Sequence, residues 1–297
     1  MTVQGHGTGD SGSRTVGSRH GTGDSGTGTG RPLVMGVLNV TPDSFSDGGR
    51  YLCTADAVAH GREMAAEGAD VVDVGGESAR PGSLPVAEEE ELSRVLPVVE
   101  TLAPEVRVSI DTTKPAVARA AVAAGATLLN DISGALWELA AELGVGWVSM
   151  HMRGTPATMQ LDLRYDDVVG EVHAHVLGRA AAARRAGVAE VWVDPGIGFA
   201  KSAAQNLRLL ASLGGLAAGA AEQGARVLVG TSRKSFLGRY GASGDTPVPV
   251  TDRLEASLAT AVWAMANGAG MVRVHDVAPA VVAAAMVGPG ALDAMAR

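Results

Sequence analysis

From Pro32 onward, short β-branched apolar runs alternate with longer Ala-rich stretches of helical character, the pattern of repeated βα units. The runs predict strands near residues 33–38, 70–74, 106–110, 126–129, 145–149, 190–193, 226–229 and 270–274. Eight strands, each followed by a helix, close a parallel (β/α)8 TIM barrel, an α/β fold with one core. Helix boundaries carry matching chemistry. Pro115 suits the first turn of a helix that Gly125 ends, and Asp252 with Glu255 reads as a capping-box-like start. Glu88 to Glu91 crowd the first turn of the second helix, where the macrodipole favours negative charge, and Pro97 is expected to kink that helix. An open doubly wound sheet shares the alternation but carries a Gly-rich dinucleotide turn after its first strand. NVTPDSFSDGG stands there instead.

Residues 1–30 break the pattern: they are almost all Gly, Ser, Thr, Asp, His and Arg, and HGTGDSG occurs twice. Such a segment buries too little apolar area to offset its ordering entropy, which predicts a disordered tail and leaves 31–297 as the barrel domain. Hydrophobic residues make up 46% of the chain and aromatics only 3%, so the core must be built from Ala, Val and Leu rather than large rings. A net charge of -8 argues against a nucleic-acid surface, and any anionic ligand must be held by a local cationic cluster. Cys53 is the only cysteine, which excludes an internal disulfide, a CxxC pair and a thiolate zinc site. No run approaches the ~20 apolar residues of a membrane span, and the first residues lack the apolar core of a secretion signal. A cytoplasmic, soluble protein without a membrane partner is expected.

A barrel of this kind places its working residues at the C-terminal strand ends. There the chain has Asn39 and the polar loop from Thr41 to Gly49, GGESARPG at 75–82, Asp111, Asn130 with Asp131, Ser149 to His151, DPGIGFAK at 194–201, GTSRK at 230–234, and Arg273, His275 and Asp276. Each has a bland reading: Asp111 and Asp194 as helix N-caps, Asn130 as a loop tie, Lys234 with Arg233 as a solvated pair. Those readings must all hold at once, whereas half-buried polar groups at a barrel mouth need partners and a ligand supplies them. Asp and Asn suit a flat heterocycle with amino, ring N–H and carbonyl groups; Arg80, Arg273 and His275 suit phosphate oxygens; Asn39 offers a neutral oxygen to magnesium. No His/Cys cluster suggests zinc or iron, and no GxSxG elbow supports a hydrolase triad.

These segments together resemble the dihydropteroate synthase family of folate biosynthesis. The matching stretches are GVLNVTPDSFSDGG (36–49), GADVVDVGGESARPG (68–82), VSIDTTKP (108–115), LLNDISG (128–134), SMHMRGTP (149–156), VDPGIGFAK (193–201), VGTSRKSFLG (229–238) and VRVHDV (272–277). The resemblance runs through the whole barrel. It implies a transferase that condenses (7,8-dihydropterin-6-yl)methyl diphosphate with 4-aminobenzoate, releasing diphosphate and 7,8-dihydropteroate, and that is a sulfonamide target. By matching positions, Asp111, Asn130, Asp194 and Lys234 hold the pterin, with Met150 and Ile132 beside its ring. Asn39 binds Mg2+, and Arg80, Arg273 and His275 hold the diphosphate. Phe45, Phe199 and Ser232 border the aminobenzoate. The resemblance also allows a homodimer and implies two mobile first loops. One departure stands out: Ala79 replaces the Thr or Ser usual in GGESxRPG, which puts contacts to the second substrate in doubt. Two alternatives stay open, a non-catalytic pterin-binding paralogue and a methyltransferase domain acting on a methylated folate, although the latter has no diphosphate to occupy Arg273 and His275.

Overall fold

The computed structural model describes residues 30–41, 50–240 and 246–288, so the expected tail, apart from Gly30, and Phe45 lie outside the described residues. Eight strands form a closed barrel in sequence order: β1 (Leu33–Asn39), β2 (Val71–Gly75), β3 (Val108–Asp111), β4 (Leu128–Asp131), β5 (Gly146–Met150), β6 (Val191–Asp194), β7 (Arg226–Val229) and β8 (Ala269–Val274). All neighbours are parallel, β8 closing onto β1. The barrel and the strand positions agree with the sequence reading to within about two residues.

The helices are α1 (Arg50–Ala66), α2 (Glu88–Leu102), α3 (Pro115–Ala123), α4 (Trp137–Leu143), α5 (Val168–Arg185), α6 (Ala203–Ala211), α7 (Leu213–Glu222), the single turn α8 (Leu237–Tyr240), α9 (Leu254–Ala266) and α10 (Val277–Val287). As expected, α3 opens on Pro115, and Gly125 takes φ +113 just beyond its end, a left-handed conformation that glycine adopts without steric cost. Four glutamates fill the first turn of α2, and Pro97 lies inside that helix. The expected capping box at Asp252 and Glu255 is not formed. Asp252 belongs to a short 3₁₀ turn, α9 begins at Leu254, and its N-cap is Arg253 without a side-chain hydrogen bond. Ser257 Oγ instead binds the Arg253 carbonyl and accepts the Arg233 N–H, tying α9 to the loop after β7. A capping box does form at Ser202 and Gln205, where α6 starts.

Strand alternation sorts side chains between two environments. Val72, Val74, Val108, Ile110, Val191 and Val193 face the helices and join the large outer core. Met35, Val71, Leu128, Val148, Trp192, Leu228 and Met271 form a separate cluster that fills the barrel interior. The next inward positions along the same strands are no longer apolar: Asp73, Asn130, Asp194 and Arg273 stand two residues beyond Val71, Leu128, Trp192 and Met271. The period of two thus turns an apolar plug into a polar floor within one step.

Candidate active site

The polar floor is held in register by the sheet. Asp111 pairs with Asn130 across β3 and β4, Met150 with Asp194 across β5 and β6, and Arg273 with Met35 across β8 and β1. Asn39 ends β1 opposite Gly75. Arg273 is the hub: its Nε donates to Asp73 Oδ2 at 2.7 Å and its Nη2 to Asp111 Oδ2 at 2.9 Å. Asn130 donates its Nδ2 to the same Asp73 oxygen at 2.8 Å. Asp73, with no exposed surface, was read in the sequence only as part of a strand.

Burial sets the charge states. Desolvation, opposed by Arg273 and reinforced by Asp73 and other carboxylates, pushes the Asp111 carboxyl up to about 7. Asp194 is likewise raised by burial, against the pull of Lys234 and the Gly196 N–H that it accepts at 2.7 Å. Burial brings the Lys234 ammonium down to about 8 despite the attraction of Asp194. Arg273 is disfavoured by burial, but Asp73 and Asp111 more than compensate and hold it above its ordinary value. Neither Asp111 nor Asp194 caps a helix: the following N-caps are Lys114 and Ser202. Lys234 is not a solvated partner of Arg233 either, since it donates to the Ile197 carbonyl and lies 4.5 Å from the Phe199 ring centroid. Arg233 pairs with Asp276 instead.

Gly198 makes room for Lys234. It takes φ +87, and a Cβ there would meet Lys234 Cδ at 2.8 Å. Among the described residues, the only non-glycine positions with positive φ are Ala200 and Arg233, each immediately before a lysine of this region. Lys201, the second lysine, is buried and donates to His151 Nδ1 and to the carbonyls of His151, Gly196 and Phe199. Burial lowers it to about 7. It therefore fastens the DPGIGFAK loop to the end of β5, a role missed because a lysine at a motif's end reads as solvated.

On the opposite side, Ser232 Oγ accepts the His275 backbone N–H at 3.1 Å and lies 3.0 Å from His275 Nδ1. With the hydroxyl proton directed at Nδ1, the imidazole carries its own proton on Nε2, free to donate outward. Burial, then Arg273 and Arg233, depress His275 to about 3, so it is neutral until an anion arrives. Arg80 is exposed, yet close enough to add to that depression. Its loop is braced by Glu77, which accepts Lys114 Nζ at 2.6 Å and the Val86 N–H at 2.9 Å, and by Arg94 Nη1 on the Gly76 carbonyl. Ala79, Asp111 and Ile132 line one cleft with Glu77, Glu91 and Lys114. Met150 is buried at the end of β5. Asp131, expected at the mouth, turns outward: it accepts from Trp147 Nε1 and from the Ala135 and Leu136 N–H groups, a loop tie rather than a ligand arm.

The profile of the family described as "Pterin binding enzyme" matches residues 35–275. The dihydropteroate synthase of Mycobacterium leprae is 48% identical over 265 residues, covering 86% of this chain and 92% of that protein. The solved Xanthomonas albilineans dihydropteroate synthase with 4-aminobenzoic acid superposes with a TM-score of 0.78 at 45% identity, covering 87% of this chain and 92% of that one. The same enzyme in complex with 7,8-dihydropteroate gives 0.75 at 43% identity, over 87% and 93%. Matching both the family profile across the barrel and full-length relatives at this identity, the chain belongs to the pterin-binding enzymes, among the dihydropteroate synthases.

Proposed function

We propose that the inward polar floor binds the pterin and that the β8 and β2 ends bind the leaving diphosphate in the family's reaction. That reaction is a group transfer: the amine of 4-aminobenzoate attacks the pterin methylene, the carbon–oxygen bond to diphosphate breaks, and the amine proton is lost to water. The observation that carries the assignment is Arg273, an arginine joined to two carboxylates of the floor and flanked by the neutral donor His275. Asp111, Asn130, Asp194 and Lys234 offer acceptors and donors on fixed arms to a flat heterocycle, with Met150 and Ile132 against its face. Arg273, His275 and Arg80 stabilise the departing charge, and Asp111 and Asp194 stabilise the positive charge left on the pterin. An aromatic amine needs no strong base, so positioning supplies much of the remainder. Phe199 and Ser232 border the second substrate, a pocket that a sulfonamide would share.

Among the described residues no group of three or more His, Cys, Asp or Glu forms a metal cage. Asn39, at the end of β1 opposite Gly75, would supply one neutral oxygen to a magnesium ion that otherwise keeps diphosphate and water oxygens. The chemistry such an ion would supply is charge neutralisation on the leaving diphosphate. A homodimer is the proposed assembly: Leu254 and Trp263 on α9 and Val282 and Met286 on α10 are exposed large hydrophobics on contacting helices. Among the described residues no helix is long and apolar enough to cross a membrane.

The test is direct. The purified protein with both substrates and magnesium should release diphosphate in step with pteroate formation, and omitting either substrate should abolish it. Pterin binding without any diphosphate release would favour the non-catalytic reading.

A further inference from the structure

Asp73 touches two other residues of the polar floor, Asn130 and Arg273. It is a carboxylate with no exposed surface, and among the described residues only one of its oxygens has partners. That oxygen, Oδ2, accepts both Asn130 Nδ2 and Arg273 Nε; Oδ1 has none among the described residues. Ser109, its register partner on β3, is equally buried, and its hydroxyl also has no partner among the described residues. A buried carboxylate so placed is retained at a cost unless its arrangement does something that an apolar residue cannot.

We infer that Asp73 is the positioning residue of the pterin pocket, fixing the amide face of Asn130 and the guanidinium plane of Arg273 before a ligand arrives. The inference rests on the pterin reading of the floor given above. A carboxylate only accepts, so Asn130 must turn its NH2 toward Asp73 and present Oδ1 to a ligand. The pocket therefore offers an acceptor at that point, which favours a heterocycle edge carrying an N–H or amino group over one carrying a carbonyl. Arg273 is treated similarly. Held through Nε by Asp73, it keeps its orientation when a ligand competes for Asp111, and Nη1 has no partner among the described residues. One residue two positions above the apolar plug thus preorganises the pterin arm and the phosphate arm together.

The test uses the full chain and two ligands, the pterin diphosphate and the free hydroxymethyl pterin, by titration calorimetry, with kinetics at saturating pterin. Wild type is measured first: if it binds neither ligand, the pterin reading itself fails, whatever Asp73 does. If it binds, Asp73→Leu should weaken both ligands by tenfold or more and leave the KM for 4-aminobenzoate within twofold. Asp73→Asn, which keeps an acceptor in place, should recover part of that loss. Unchanged pterin affinity in folded Asp73→Leu, or an equal loss toward 4-aminobenzoate, would overturn the inference. Should Asp73→Leu fail to fold, the cycle of Asp73→Asn with Asn130→Ala decides: losses in pterin affinity that are clearly less than additive support positioning through Asn130, and additive losses overturn it.

Discussion

Asp111 and Lys234 are drawn toward neutrality by the same burial, one up to about 7 and the other down to about 8. At neutral pH Lys234 stays mostly charged and Asp111 is poised between its two forms, so a ligand that hydrogen-bonds the charged forms would favour both. Asp111→Asn and Lys234→Ala should each reduce kcat/KM by more than tenfold with circular dichroism unchanged, since a charge-assisted hydrogen bond contributes about 1.5 to 3 kcal/mol. Near-normal turnover in both variants would remove them from the site. Ala79 is the residue-scale departure, and it lines the cleft shared with Asp111 and Ile132. A hydroxyl there would add a neutral hydrogen bond of about 0.5 to 1.5 kcal/mol, so Ala79→Thr should lower the KM for 4-aminobenzoate a few-fold and tighten sulfonamide inhibition in parallel. Both constants staying fixed would leave the position without influence on the second substrate. At this scale, Asp111, Asn130, Asp194 and His275 were legible as candidates because each ends or follows an apolar run, Lys234 because it closes the polar loop after β7, and Arg273 because a cation stands one residue before the end of β8. Asp73 was not, because one acidic residue inside VVDVG looks like strand noise until the period of two is applied to Val71 and Asp73 together.

Between elements, the loop joining β2 to α2 is held by a mixed cluster. Lys114, at the N-cap of α3, donates to Glu77 on the loop and to Glu91 on α2, the latter with no exposed surface and, among the described residues, one oxygen without a partner. Removing the lysine would leave a buried carboxylate uncompensated, a change that typically costs about 3 to 5 kcal/mol. Lys114→Met should accordingly lower Tm and raise the KM for the diphosphate substrate through Arg80, with faster amide exchange confined to residues 76–87. Exchange rising evenly over the whole barrel would argue that the cluster stabilises the fold without bracing that loop. The sequence revealed the four glutamates at the start of α2 but assigned them to the helix dipole; that Glu91 turns inward to a lysine 23 residues away, past β3, is a tertiary pairing, which spacing alone does not encode. The failed capping box at Asp252 has a similar cause. Arg253 donates to the Val248 and Arg233 carbonyls, and that network outweighs local N-cap preference.

For the whole molecule, the buried polar layer makes stability depend on pH. His275 is held near 3 by burial and the arginines about it, and His151 near 3 by burial and then by Lys201, His175 and Arg153, against an ordinary value of 6.5. Between 3 and 6.5 the unfolded chain binds protons that these histidines refuse in the native state, so their contribution to stability is complete above 6.5 and is lost as pH falls toward 3. Asp111 acts the other way. Its native value of about 7 exceeds the ordinary 3.8, so the native state binds more protons in that window and gains stability as pH falls through it. Four histidines lowered by burial, His151, His173, His175 and His275, stand against two carboxyls raised by it, Asp111 and Asp194, which leaves a net loss on acidification. Tm should fall from pH 6.5 to pH 4, and His151→Asn, which keeps a polar group beside Lys201 but cannot titrate, should reduce that fall by roughly 5 °C. Asp111→Asn should steepen the fall, because it removes the opposing gain. Thermal unfolding of the three proteins at half-unit pH steps reads both effects. Parallel curves for wild type and His151→Asn would mean that the buried imidazole does not govern the acid limb, and a shallower curve for Asp111→Asn would reverse the sign assigned to that carboxyl.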